Sequence, residues 1–167
     1  MSGKFQSDTG VDFSLEVRPE AGGTCVKVRL PGAAERCYRL FSDADHMAEW
    51  LVVVGNVVVR RRDEKGRALE AEFLGSLQRA SVAYSLTYEY DDDALEVRWQ
   101  NKSGSVRKLA GSARFLREGE RSCRLEYRLT TELPQNLPPW ADELYRSRPA
   151  ETVVLDFCEW LEDKVES

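Results

Sequence analysis

The sequence predicts an α+β domain in which a curved antiparallel sheet wraps around one long C-terminal helix. Three observations carry this. Residues Ala150–Val165, AETVVLDFCEWLEDKV, repeat apolar side chains at helical spacing. From Gly23 to Thr131 the chain is dominated by runs that alternate between one apolar and one polar face. The short helical stretches sit together ahead of the strand run. Helices and strands are therefore segregated, unlike the regular alternation of a parallel βαβ fold.

The elements follow in order. Met1–Gly10 is polar and is expected to fray. Val11–Val17, VDFSLEV, alternates like one extra edge strand, and Pro19–Gly23 is expected to turn. Thr24–Leu30 sets Val26, Val28 and Leu30 against Cys25, Lys27 and Arg29, the pattern of a half-buried strand. Ala33–Phe41 is helical by composition, with Ala33, Cys37, Leu40 and Phe41 on one stripe. Ser42 and Asp43 suit the cap of a second short helix, Ala44–Trp50. Val52–Val59 is rich in valine and strongly β-forming. Arg60–Gly66 is charged and reads as a hairpin turn.

Beyond it, the strands meander. Leu69, Ala71 and Phe73 oppose Glu70 and Glu72. Val82, Tyr84, Leu86, Tyr88 and Tyr90 share one face. Asp91–Asp93 turns the chain, and Leu95, Val97 and Trp99 face inward on the next strand. Asn101–Gly104 is expected to turn. Arg107, Leu109, Gly111, Ala113 and Phe115 then share a face, Glu118–Glu120 turns, and Cys123, Leu125, Tyr127, Leu129 and Thr131 complete the inner surface. The three prolines of Leu133–Pro139 exclude regular structure there, and Trp140–Arg146 has room for one or two helical turns. Pro149 then suits the first turn of the final helix. Its expected apolar face carries Ala150, Val153, Val154, Phe157, Trp160, Leu161 and Val165, and its polar face Glu151, Asp156, Glu159, Glu162 and Asp163.

Composition bounds the function. At 167 residues the chain is one domain with room for a sizeable core. A net charge of −5 gives no general electrostatic case for nucleic acid or an anionic membrane surface. No run of about 20 apolar residues is present to span a bilayer, although transient membrane contact stays open. MSGKFQSDTG lacks the apolar centre of a secretory signal, and Cys25, Cys37, Cys123 and Cys158 form no CxxC. They read as core residues in a reducing cytoplasm, the expected location. The single histidine, His46, rules out a site needing two, and no Ser–His–Asp constellation can be built. Neither a metal nor a cofactor is implied. His46 reads as a surface residue beside Asp43, Asp45 and Glu49, with a general-base role as the alternative. Asp63 and Glu64 follow Arg60–Arg62 at once, so that cluster reads as a solvated hairpin rather than a nucleic-acid patch.

The order of elements, with AERCYRLFSDADHMAEW at Ala34–Trp50 and LAGSARF at Leu109–Phe115, resembles the START-like (SRPBCC) superfamily of polyketide cyclases/dehydrases, lipid-transport domains and coenzyme Q-binding proteins. Asp43 and Trp50 match the acidic helix end and closing tryptophan of that family. The resemblance spans roughly Gly23–Val165. It implies the helix-grip fold: a seven-stranded sheet around the C-terminal helix, two short helices after the first strand, and an apolar cavity between sheet and helix. Residues 1–22 are then an N-terminal extension and 23–167 the ligand-binding domain. No catalytic motif of the family transfers residue by residue.

The expected cavity lining is Trp50, Leu51, Phe73, Tyr84, Tyr88, Trp99, Arg107, Leu109, Phe115, Tyr127, Phe157 and Trp160. The aromatic stripe reads as a ligand-contacting wall or as plain core. Trp50 and Leu51 are expected at the cavity mouth, as a lid or as a fixed plug. Arg107 is placed inward, where a guanidinium would pair with a carboxylate or phosphate; the alternative is that it ends its strand in solvent. The function expected is binding or transfer of an apolar small molecule such as a lipid, quinone, polyketide or isoprenoid. The alternatives are a cyclase or dehydratase working by substrate positioning, and an interaction module without a ligand. Oligomeric state is not legible.

Overall fold

A computed structural model describes residues 2–6, 12–20, 23–51, 56–77, 80–104, 108–132 and 149–166. Among these residues nine antiparallel strands form one sheet: β1 (Ser2–Gln6), β2 (Asp12–Glu20), β3 (Gly23–Pro31), β4 (Asn56–Arg62), β5 (Ala68–Leu77), β6 (Ala80–Asp91), β7 (Glu96–Gly104), β8 (Lys108–Arg117) and β9 (Ser122–Glu132). Helix α1 (Ala34–Ser42) and a 3₁₀ helix (Ala44–Glu49) lie between β3 and β4, and helix α2 (Pro149–Glu166) ends the chain.

The strand order is β1-β2-β3-β9-β8-β7-β6-β5-β4. β3 through β9 are the seven strands expected, with β4–β9 meandering and β9 returning to pair with β3. β1 and β2 extend the sheet beyond β3. This is an α+β helix-grip arrangement with two strands added.

Alternation set the inward face correctly. Val26, Val28, Leu30, Ala71, Phe73, Leu86, Tyr88, Val97, Trp99, Ala113, Phe115, Leu125, Tyr127 and Leu129 are all buried. They pack in a single core with Ala150, Val154, Phe157, Cys158 and Leu161 of α2. Four free cysteines are buried, as core use requires.

Several expectations need correction. Ser2–Gln6 does not lie outside the fold but pairs with β2 in register, Phe5 opposite Phe13. Edge pairing uses main-chain groups and needs no apolar alternation, so composition hides it. β2 is therefore not the edge, and it runs on through Pro19 and Glu20, where a turn was expected. Asn101–Gly104 is not a turn but the end of β7. Leu86 opposes Asn101 and Ser85 opposes Ser103, so Lys102 is an extra residue at a bulge, which uses the same residue types as a turn. Arg60–Arg62 belong to β4, and the turn is Asp63–Gly66. Asp43 makes no cap bond to the 3₁₀ helix; its carboxylate binds His46 instead.

The buried face of α2 is rotated from the expected one. Cys158 is buried, and so are Glu151 and Glu162, both assigned to the polar side; Val153 and Trp160 are only half-buried. The helix touches β2, β3 and β9, so it is enclosed along a wide arc rather than one stripe. The expected irregular segment 133–139 and the turns at 140–146 lie outside the described residues.

Candidate functional site

The interior between sheet and helices is built around Phe41, on the buried stripe of α1. Its ring centroid lies 5.4 Å from Trp50, 6.0 Å from Trp99, 5.7 Å from Phe115, 6.2 Å from Tyr127 and 5.1 Å from Phe157. Four elements besides α1 contribute one ring each (β7, β8, β9 and α2), and Trp50 arrives from the residue that ends the 3₁₀ helix. Such contacts add to the area these large side chains bury. Sequence reasoning left Phe41 out of the lining. Its stripe with Cys37 was legible as a core face, but nothing local says that five rings converge on it.

Trp99 reaches this cluster because its cross-strand neighbour on β8 is Gly111. A Cβ at Gly111 would stand 2.7 Å from the Trp99 indole and would also meet the Arg128 carbonyl. The absent side chain lets the indole lie across β8, 5.5 Å from Tyr127.

The polar groups of the interior fall into two sets. At one end the set is satisfied. The Tyr90 hydroxyl donates to the Ala68 carbonyl at 2.6 Å, and Tyr38 donates to Asp92 at 3.0 Å. Arg67 binds Asp92 at 2.5 Å and Asp63 at 2.9 Å, and lies 4.2 Å over the Tyr90 ring. Hydrogen bonds from Arg67 and then Lys65 hold the Asp92 carboxyl well below its ordinary range. This network ties α1 to the β4–β5 and β6–β7 turns.

The second set lacks partners. The Trp50 indole N–H and the Ser42 hydroxyl are both buried with no hydrogen bond among the described residues. Among the described residues the Tyr88 hydroxyl reaches only the Met47 thioether, at 4.0 Å. A buried polar group left unmade costs about 1–3 kcal/mol, so each of these is an exception to the ordinary rule of satisfied interiors. Burial is the first cause that pushes the Tyr88 and Tyr127 phenols well above their ordinary range, with the Tyr84 ring adding to it. Both therefore stay protonated near neutrality and act as hydrogen-bonding hydroxyls, not as bases.

The expected lining residues fall as follows. Trp50, Phe73, Tyr88, Trp99, Phe115, Tyr127 and Phe157 are buried in the one core. Leu51, Tyr84, Leu109 and Trp160 are half-buried against it. Phe73 stacks on Tyr84 at 5.2 Å, under β5 and β6, away from the Phe41 hub. Arg107 lies outside the described residues. His46 is exposed, with Nδ1 2.7 Å from Asp43 and Nε2 3.8 Å from Glu49. Arg60, Arg61 and Arg62 pair with Glu72, Glu70 and Asp45 on the outer surface. Glu49 also accepts from the Trp160 indole at 3.4 Å and lies 3.7 Å from Lys164, fastening the 3₁₀ helix to α2. Among the described residues no cluster of His, Cys, Asp and Glu is arranged to hold a metal, and no helix is long and apolar enough to cross a membrane.

Solved structures place this architecture in a class. A START superfamily protein from Mycobacterium smegmatis superposes with a TM-score of 0.70 at 17% identity, over 87% of this chain and 98% of its own. A protein from Thermus thermophilus gives 0.65 at 25% identity, over 84% and 94%. The Zhui aromatase/cyclase from a Streptomyces species gives 0.66 at 11% identity, over 89% and 93%. No protein-family model matches the chain, and no curated protein was found similar to it. The fold is the START-like helix-grip fold, shared with the START superfamily protein and the aromatase/cyclase above.

Proposed function

We propose that the protein binds an apolar small molecule between the sheet and α2. The observation that carries this reading is the interior itself. An aromatic wall of five rings surrounds Phe41, and buried donors beside it have no partner among the described residues. A core evolved only for stability would satisfy or remove those donors, because each costs free energy in the folded state. A ligand that supplies the missing contacts explains their retention. The START-like fold adds support by analogy.

Binding is favoured over catalysis by the character of the polar groups. The buried hydroxyls near the hub are held protonated. The only buried carboxylates among the described residues, Glu151 and Glu162, sit on α2 and have partners of their own. The ligand class includes lipids, quinones, polyketides and isoprenoids, and the buried free thiols suit a reducing cytoplasm.

The test is equilibrium binding of the neutral fluorophore N-phenyl-naphthylamine to folded variants. Tyr88→Ala and Trp99→Ala should each weaken binding by roughly tenfold or more, since each removes a buried ring worth well over 1.4 kcal/mol of contact. Glu89→Ala, on the outer face of the same strand, should leave it unchanged. Equal effects at all three positions would contradict the inward site.

A further inference from the structure

The buried donors carry a statement about ligand chemistry that the apolar wall does not. It rests on the binding reading above. The Trp50 indole N–H has no acceptor among the described residues, and an indole can only donate. Its ring is fixed between Phe41, at 5.4 Å, and Phe157, at 5.1 Å, so the N–H is not free to turn toward water. The Ser42 hydroxyl, adjacent in sequence to Phe41, is likewise buried and has no partner among the described residues. Among the described residues the Tyr88 hydroxyl meets only a thioether, a weak acceptor, on Met47. Met47 and Trp50 belong to one turn: the Trp50 amide donates to the Met47 carbonyl at 3.2 Å. Trp50 and Met47, the neighbour of the Tyr88 hydroxyl, thus lie on one turn, and Ser42 ends the helix just before it.

Charge narrows the class. Among the described residues the only buried charged side chains are Glu151 and Glu162, both acidic. Among the described residues no buried cation accompanies the donors, so a carboxylate or phosphate there would be an uncompensated charge in a water-poor interior. An ammonium would in turn face an indole N–H instead of a lone pair.

We propose that the ligand is an uncharged apolar molecule bearing an acceptor oxygen, such as a carbonyl, that takes a hydrogen bond from the Trp50 indole, with Ser42 and Tyr88 as further donors. The class covers ketones, quinones, esters and lactones, and excludes free fatty acids and hydrocarbons as preferred ligands.

Four probes that share a naphthalene ring separate the possibilities: acetonaphthone, ethylnaphthalene, naphthoate and naphthylmethylammonium. Titration calorimetry on the intact chain should show acetonaphthone binding at least about tenfold more tightly than ethylnaphthalene and than either ion, because it alone both fills the apolar wall and satisfies the donor without importing a charge. In Trp50→Phe the preference over ethylnaphthalene should fall to near unity while ethylnaphthalene itself still binds. Ser42→Ala should reduce the preference by a smaller factor and stands in if Trp50→Phe does not fold. A structural role would not predict the accompanying readout: without ligand, Ser42→Ala should melt no lower than the parent, since it removes an unmade bond. Equal binding of acetonaphthone and ethylnaphthalene would overturn the acceptor-oxygen assignment and leave the apolar site standing. Tightest binding of either ion would overturn it as well. Failure of all four to bind would overturn the binding reading beneath it.

Discussion

At the scale of single residues, Gly111 shows how a small side chain can position a large one. Its missing Cβ is the space the Trp99 indole occupies on the way to Tyr127. Gly111→Ala should destabilise the protein by about 1–3 kcal/mol in urea unfolding, the usual cost of overpacking a closed core. A change within 0.5 kcal/mol, the range of a neutral surface substitution, would show that the indole can move aside at little cost. The alternation of β8 announced that Gly111 faces inward. It did not announce that a ring from β7 lies over it, because that contact depends on cross-strand register, which the sequence of either strand alone does not fix. Trp50 is similar. Its place at the cavity mouth was an expectation from the family resemblance, whereas the unmet demand of its N–H became visible only once its described neighbours were in place.

At the scale of elements, the cluster of Arg67, Asp92, Asp63, Lys65 and Tyr38 holds α1 against the turns at one end of the sheet. Asp92 has its folded pKa lowered from 3.8, with the Arg67 hydrogen bond the leading cause. A depressed carboxyl stabilises the fold above its unfolded pKa, and that contribution is lost as pH falls from there toward the folded value. Asp92→Asn should therefore lower the melting temperature at pH 7, and the gap to the parent should begin to narrow as pH falls below about 4 and keep narrowing toward the folded value. A gap independent of pH would assign the loss to packing instead. Asp92 is partly exposed, so the effect should shrink in high salt. The elements differ in how readily they were read. Strands with one wet face and one dry face were plain from alternation, and their inward residues are those expected. The buried arc of α2 was misplaced toward Val153 and Trp160 because the helix is gripped from β2 as well as β3 and β9, and no helical periodicity reports how many neighbours will enclose it. β1 escaped notice because edge pairing is carried by the main chain.

At the scale of the whole molecule, the order of elements carried the fold and the contacts among them carried the site. The seven strands β3–β9, the two short helices and α2 follow the expected sequence, and superposition on START-like structures confirms that arrangement. The hub residue Phe41 and the unmatched donors beside it arise only where β6, β7, β8, β9, α1 and α2 converge, so their roles were not legible from any one stretch. The central claim is that this convergence holds an apolar ligand. Native mass spectrometry on protein purified gently from its expression host tests it most directly, with organic extraction to identify what is released. The account predicts a folded protein carrying a stoichiometric added mass that extraction releases as an uncharged, oxygen-bearing apolar compound, or an apo protein that takes up acetonaphthone one to one. A folded chain that shows only its own mass and takes up no apolar probe would contradict it.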